Sequence, residues 1–301
     1  MAQVLGMDVE VGEPSVIGSL SVFPLRGKSK GSGSAYVPGP DAFAHGLVQV
    51  SELDPPQVPH LVVENLAPVA LLLVEGETLV GGSQNRTLNT TVLCPPKAKT
   101  VVPVSCVEAG RWERPTDVSR SRSHLPGSVR AAKTADLGSD PDGPARWRSN
   151  QGRVWQEVGL QARRHKVESK TAALEDVLEA VRADLGTRLD ELEPVPGQIG
   201  IACATGDRVL GVDIFDRPAT LASYLQSLVA GYRLDAEDGA GVTLVDAVEQ
   251  FLAQVAGNRA DPGRGVGLGQ EVRLRGPVTG LGLMLEGALV HLAAFPLPEP
   301  L

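Results

Sequence analysis

"LLLVEGETLVGGSQNRTLNTT", Leu71 to Thr91, is the stretch on which the fold turns. An apolar run meets Glu75-Gly76-Glu77, passes a glycine pair, and enters Ser83-Gln84-Asn85-Arg86 and Asn89-Thr90-Thr91. A short Leu/Val block bounded by glycine reads as a strand. This strand could bury itself, yet it runs straight into a dense set of hydrogen-bonding side chains. Two readings stand: a turn with structural ion pairing, Glu77 to Arg86, or one wall of a site for a polar ligand.

Outward from this stretch, residues 15–107 are mostly short Val- and Leu-rich segments such as "HLVVENL" and "TVVPVSCVE". Clusters like "DPPQVP" and "CPPKAK" separate them. Strands at short spacing with turn signals between them indicate an antiparallel sandwich or barrel-like sheet. Residues 108–150 are rich in Arg, Ser, Pro and Gly and read as a long loop with one short helix at 127–135. Over 151–193 the pattern is helical. Leu174, Val177, Leu178, Val181, Leu185 and Leu189 recur at three- and four-residue steps, and Pro194 stops the run. Residues 197–295 mix strands and helices, with Gly206-Asp207 and Glu286-Gly287 as hairpin turns. "GRGVGLGQ", Gly263 to Gln270, reads as a mobile loop without a phosphate-loop Lys. The expected class is α+β: an N-terminal antiparallel β-sandwich or barrel-like sheet, central helices, and C-terminal strands completing the sheet. Residues 1–14 are expected to be a flexible N-terminus and 15–301 a single domain.

The 301 residues carry a net charge of −8, which argues against a nucleic-acid binder and for a soluble cytoplasmic protein. The three cysteines, Cys94, Cys106 and Cys203, have no paired spacing and suit buried thiols in a reducing compartment. The start "MAQVLGMDVEVGEP" has no secretory pattern, and no apolar run has membrane-spanning length, so no membrane partner is expected. No two of the five histidines have ligand spacing, so neither a metal site nor a cofactor is expected.

Several phrases together carry a resemblance: "FPLRG", the block from Val63 to Trp112, "SNQGRVWQEV", "PGQIGIACATGDRVLGVDIFD" and "LVHLAAF". From about Ser19 to Phe295 the chain resembles a bacterial and archaeal family, the ARG and rhodanese-phosphatase-superfamily-associated protein domain. The family's name records neighbours, an ADP-ribosylglycohydrolase-like and a rhodanese/phosphatase-like protein. The resemblance implies a link to NAD or ADP-ribose metabolism and partners of those two kinds. It implies no reaction and no catalytic residues.

The candidate site is therefore read from side chains. Glu75 and Glu77, two apart on an extended chain, share a face and could supply a general base. Arg86 can grip a phosphate or carboxylate at two points. Gln84, Asn85, Asn89 and Thr90 can read a base or ribose. The window 111–166 holds twelve Lys or Arg against six acids, a net of +6, which would draw an anion or simply keep a loop solvated. Within it Arg111 and Trp112 stand at the edge of the family phrase. In "RWRSNQGRVW", Asn150 and Gln151 open a helix whose free N–H groups, with Arg153, could hold an anion and whose Trp147 and Trp155 could stack on a base. The same letters describe an ordinary capped helix. The expected ligand is a small anion, ADP-ribose-like or a nucleotide, bound by a hydrolytic or group-transfer enzyme. The alternatives are a non-catalytic sensing or protein-interaction module, and a cupin-like barrel lacking its histidine ligands.

Overall fold

The chain begins in strands. β1 (Ala2–Val4) pairs with β2 (Met7–Val11), and β2 pairs with β4 (Leu20–Lys28), which also takes β3 (Ser15–Ile17). The segment 1–14, expected as a flexible N-terminus, holds β1 and β2. Val4, Met7 and Val9 are buried in an apolar cluster, and the alternating pattern holds them on the sheet. The protein is known here as a computed structural model that describes residues 2–28, 33–111, 116–138, 143, 145–236, 238 and 241–298.

β5 (Tyr36–Pro38), α1 (Gly39–Ala44), β6 (Val48–Ser51), β7 (His60–Asn65) and β8 (Ala70–Leu73) follow. The stretch 71–91 then supplies the end of β8, all of β9 (Glu77–Gly82) and β10 (Arg86–Leu88), before β11 (Val92–Cys94) and β12 (Lys99–Cys106). Segment 108–150, expected as loop with one helix, holds that helix as α2 (Gly127–Ala135) but also a strand, β13 (Thr116–His124). "TDVSRSRSH" has almost no apolar pattern; its main chain pairs with β9 and tucks Ser121, Ser123 and His124 inside.

α3 (Gln151–His165) and α4 (Leu174–Leu185) lie where the periodicity puts them. Val154, Val158 and Gln161 of α3 and the five apolar positions of α4 are buried. Then come α5 (Thr187–Asp190), β14 (Gln198–Thr205), β15 (Arg208–Phe215), α6 (Pro218–Arg233), α7 (Val245–Ala256), β16 (Arg259–Arg264), β17 (Gln270–Arg275), β18 (Val278–Leu285) and β19 (Ala288–Pro296).

The largest sheet runs β1-β2-β4-β14-β15-β19-β18-β17-β16, with β3 beside β4. A second sheet, β13-β9-β10-β12-β7-β6, curls until its edge strands β13 and β6 approach. A short third sheet, β11-β8-β5, includes one parallel pairing, β5 with β8. The architecture is α+β, with curled antiparallel sheets, central helices and C-terminal strands extending the largest sheet. β14 explains why "QIGIACAT" is nearly all apolar. Ile201 and Cys203 face α6, while Ile199, Ala202 and Ala204 face the side that α7 covers, so both faces are buried. The glycine-rich run 265–269, expected to be mobile, is docked instead. Leu268 donates its N–H to the Leu93 carbonyl at 2.8 Å, and Val266 is buried in the second sheet's core.

Candidate functional site

Between β8 and β9 the chain turns at Glu75-Gly76. Gly76 has φ +84°, and a Cβ there would lie 2.8 Å from Arg130 Nε, so only glycine lets helix α2 come this close. Arg130 and Lys133, one turn apart on α2, both reach Glu75, at 2.9 and 2.5 Å. Arg130 also forks onto Asp213 of β15, and Tyr232 donates to the same carboxylate at 2.8 Å. His291 of β19 stands 3.2 Å from Asp213 on one side and 2.8 Å from the Thr91 hydroxyl on the other. Two acids and two bases, all without solvent exposure, tie the β8–β9 turn to the largest sheet through α2. Burial pushes the Asp213 carboxyl up, but the Arg130 charge and the His291 hydrogen bond outweigh it and hold it well below the usual range. Burial pushes the Lys133 amine down, only partly offset by Glu75.

Glu77 faces different partners. It binds Arg120 of β13 at 2.8 Å and accepts the Val74 N–H, while Arg120 continues to Ser227 of α6. The ion pair Glu77–Arg86 considered from sequence is therefore replaced by two others. Arg86 pairs with Glu52 at 2.7 Å, and Glu77 pairs with Arg120, a residue on the strand that has no sequence pattern. Gln84, Asn85 and Arg111 close around Glu108. Asn85 donates its N–H to that carboxylate, Arg111 binds it from two nitrogens, and Gln84 donates to the Glu108 carbonyl. Burial raises the Glu108 carboxyl, and Arg111 with its neighbours brings it below the usual value.

The helix N-terminus is closed as well. Asn150 caps α3 by accepting the Arg153 N–H, and Arg153 pairs with Asp136 at 3.1 Å. The Gln151 amide both donates to and accepts from the main chain of Cys106, extending the edge of β12. Trp112 lies outside the described residues.

Asn89 and Thr90 lead to a different place. Asn89 donates to the Trp147 carbonyl at 2.8 Å and accepts from Ser105, which also meets Ser149 at 2.5 Å. Thr90 donates to Glu271 at 2.6 Å, the carboxylate that also receives Arg146 and the Trp147 indole N–H. The polar residues beneath thus strap segment 146–149 over β12. Beyond the strap opens a cleft of about 550 Å³. Its floor is Thr100, Val101 and Pro103, one wall is Arg146 and Trp147, and the other is 264–267, with His60 at the end. None of the described residues lining it is acidic. Burial and then the nearby Arg148 charge push His60 below its usual value. Arg148 and Arg264 make no ion pair among the described residues and are exposed. Neither Glu75 nor Glu77 lines this cleft.

Arg148 was visible in "RWR" as part of the basic window. Arg264 was hidden in the glycine-rich run, and only the docking of that run on Leu93 brings it to the cleft.

Curled antiparallel sheets joined by a buried ionic link, with a basic cleft beside it, define the class as an α+β protein. The chain belongs to the family of the ARG and Rhodanese-Phosphatase-superfamily-associated Protein domain, whose model matches residues 8–295. No curated protein and no solved structure matches it. No helix among the described residues is long and apolar enough to cross a membrane, and no group of acids, histidines and cysteines among them could hold a metal ion.

Proposed function

We propose that the protein binds a small anionic ligand, ADP-ribose-like or a nucleotide, in the cleft between 146–149 and 264–267. The carrying observation is an acid-free groove lined by Arg264, Arg146 and His60, with Arg148 near enough to act on His60, in a chain of net charge −8. Such a groove focuses positive potential where a phosphate would enter. Its volume falls in the range of small-molecule sites, and Trp147 with Val101 and Pro103 supplies an apolar surface for a base. The family description names ARG, which fits an ADP-ribose compound. Free thiols at Cys94, Cys106 and Cys203 fit a cytoplasmic setting.

The same reading favours a binding module over a hydrolase. Glu75 and Glu77, the proposed general bases, are buried, each is ion-paired, and neither lines the groove. Arg86, Arg111 and Arg153 are engaged by Glu52, Glu108 and Asp136 and support the scaffold. Asn89 and Thr90 serve the ligand indirectly, through the strap.

Calorimetric titration with ADP-ribose, NAD and AMP tests this, using Arg264→Ala and Arg148→Ala beside an Arg111→Ala control. Each cleft variant should weaken binding roughly tenfold, the scale for a lost charge-assisted hydrogen bond. Loss of binding only in the Arg111 variant would move the ligand to the Glu108 knot, and no binding by the native chain would remove the proposal.

A further inference from the structure

Four donors converge on Glu271, a carboxylate that is 1% exposed on β17. Arg146 Nη2 lies at 2.9 Å, Arg273 Nε at 2.7 Å, Trp147 Nε1 at 2.7 Å and Thr90 Oγ1 at 2.6 Å. Residues 271 and 273 sit on the same face of β17 because strand side chains alternate. Arg273 uses its other nitrogens on main-chain carbonyls, Nη2 on Arg146 and Nη1 on Gly138, each at 2.5 Å. So β17 grips the cleft wall twice, on its side chains through Glu271 and on its main chain through the Arg273 guanidinium. Opposite Glu271 in the β16–β17 register stands Gly263, where any Cβ would collide with the Arg146 guanidinium. The wall is held in one place, and the neighbouring strand is shaped to admit it.

We infer that Glu271 is the positioning residue of this cleft, fixing Arg146 and Trp147 for the ligand; the inference rests on the ligand reading above. It touches the ligand through neither oxygen. Its role is separable from simple electrostatics because the two have opposite signs. Glu271→Gln removes a negative charge beside a site for an anion. If charge alone mattered, the anion would bind more tightly. If position matters, binding weakens, because three charge-assisted hydrogen bonds and the indole's acceptor are degraded together.

The test titrates ADP-ribose and inorganic pyrophosphate into the native chain, Glu271→Gln and Thr90→Val, and measures amide hydrogen exchange over 145–149 without ligand. Thr90→Val removes one donor and no charge, and it serves if the Gln variant does not fold. The expected result is roughly tenfold weaker ADP-ribose binding by Glu271→Gln, a smaller loss in Thr90→Val, and faster exchange over 145–149 in both. Equal or tighter binding by Glu271→Gln overturns the inference, as does native-like binding by Thr90→Val where the Gln variant is unfolded. If the native chain binds neither probe, the ligand reading fails. Exchange then decides the rest, and unchanged rates over 145–149 in the variants overturn the pinning by Glu271.

Discussion

Glu75 answers why a burying strand should end among polar side chains. Together with Asp213 it neutralises Arg130 and Lys133 away from the solvent-exposed surface. Removing one partner of such a cluster leaves uncompensated charge, which costs about 3–5 kcal/mol. Glu75→Gln should therefore lower the unfolding free energy on that scale in urea titrations at neutral pH. Ligand affinity measured on the folded variant should stay native. Native stability with lost affinity would instead put Glu75 in the ligand site. His60 belongs to the same scale with a different readout. It lies below its usual 6.5, so it is neutral at pH 7 and gains charge only as pH falls beneath that value. Binding of ADP-ribose, whose pyrophosphate keeps its charge there, should tighten as pH drops from 7 toward 5. His60→Gln should flatten that part of the profile, and an unchanged profile would exclude His60 from the cleft's field.

Among the elements, α4 shows what a local pattern can carry. Its apolar positions recur at helical steps, and Leu178 is buried at 1% exposure in the cluster with α2 and α3. Leu178→Ala should cost about 2–5 kcal/mol, read by urea unfolding, and a loss under about 1 kcal/mol would mean that the helix packs loosely. α2, α3 and the C-terminal hairpins were legible in the same way, since periodicity, caps and turn residues are local signals. β13 was not. "TDVSRSRSH" becomes a strand through pairing with β9, far away in sequence, and its Arg120 is placed by Glu77 across that pairing. The polar burst was legible as unusual but not as to its partners, because Arg130, Asp213 and Glu271 come from three distant segments. The cleft needed still more. Arg146 and Arg264 share it only because 146–149 is strapped by Asn89 and Glu271 while 265–269 docks on Leu93. No spacing rule joins such residues.

At the scale of the molecule, one buried ionic link joins the curled second sheet to the largest sheet through α2. Asp213 sits well below its ordinary value of 3.8 in the folded chain. Its contribution to stability is thus fully present above that value and is lost as pH falls through the lower, folded one. Unfolding free energy should decline steeply in acid below about pH 4, and Asp213→Asn should be less stable at pH 7 while losing less on acidification. An Asn variant with the native acid slope would shift that role to other carboxylates. The chain is acidic overall, yet the groove is basic, so ligand affinity should fall as salt rises from 50 to 300 mM, on the order of a Debye length shrinking below 10 Å. The central claim is that this groove, and not the buried carboxylates, meets the ligand. A crystal structure of the protein with ADP-ribose tests it most directly. The expected result is the pyrophosphate against Arg148 and Arg264 with a ring system along Trp147. A ligand lodged instead beside Glu75, Glu77 or Arg111 would contradict it.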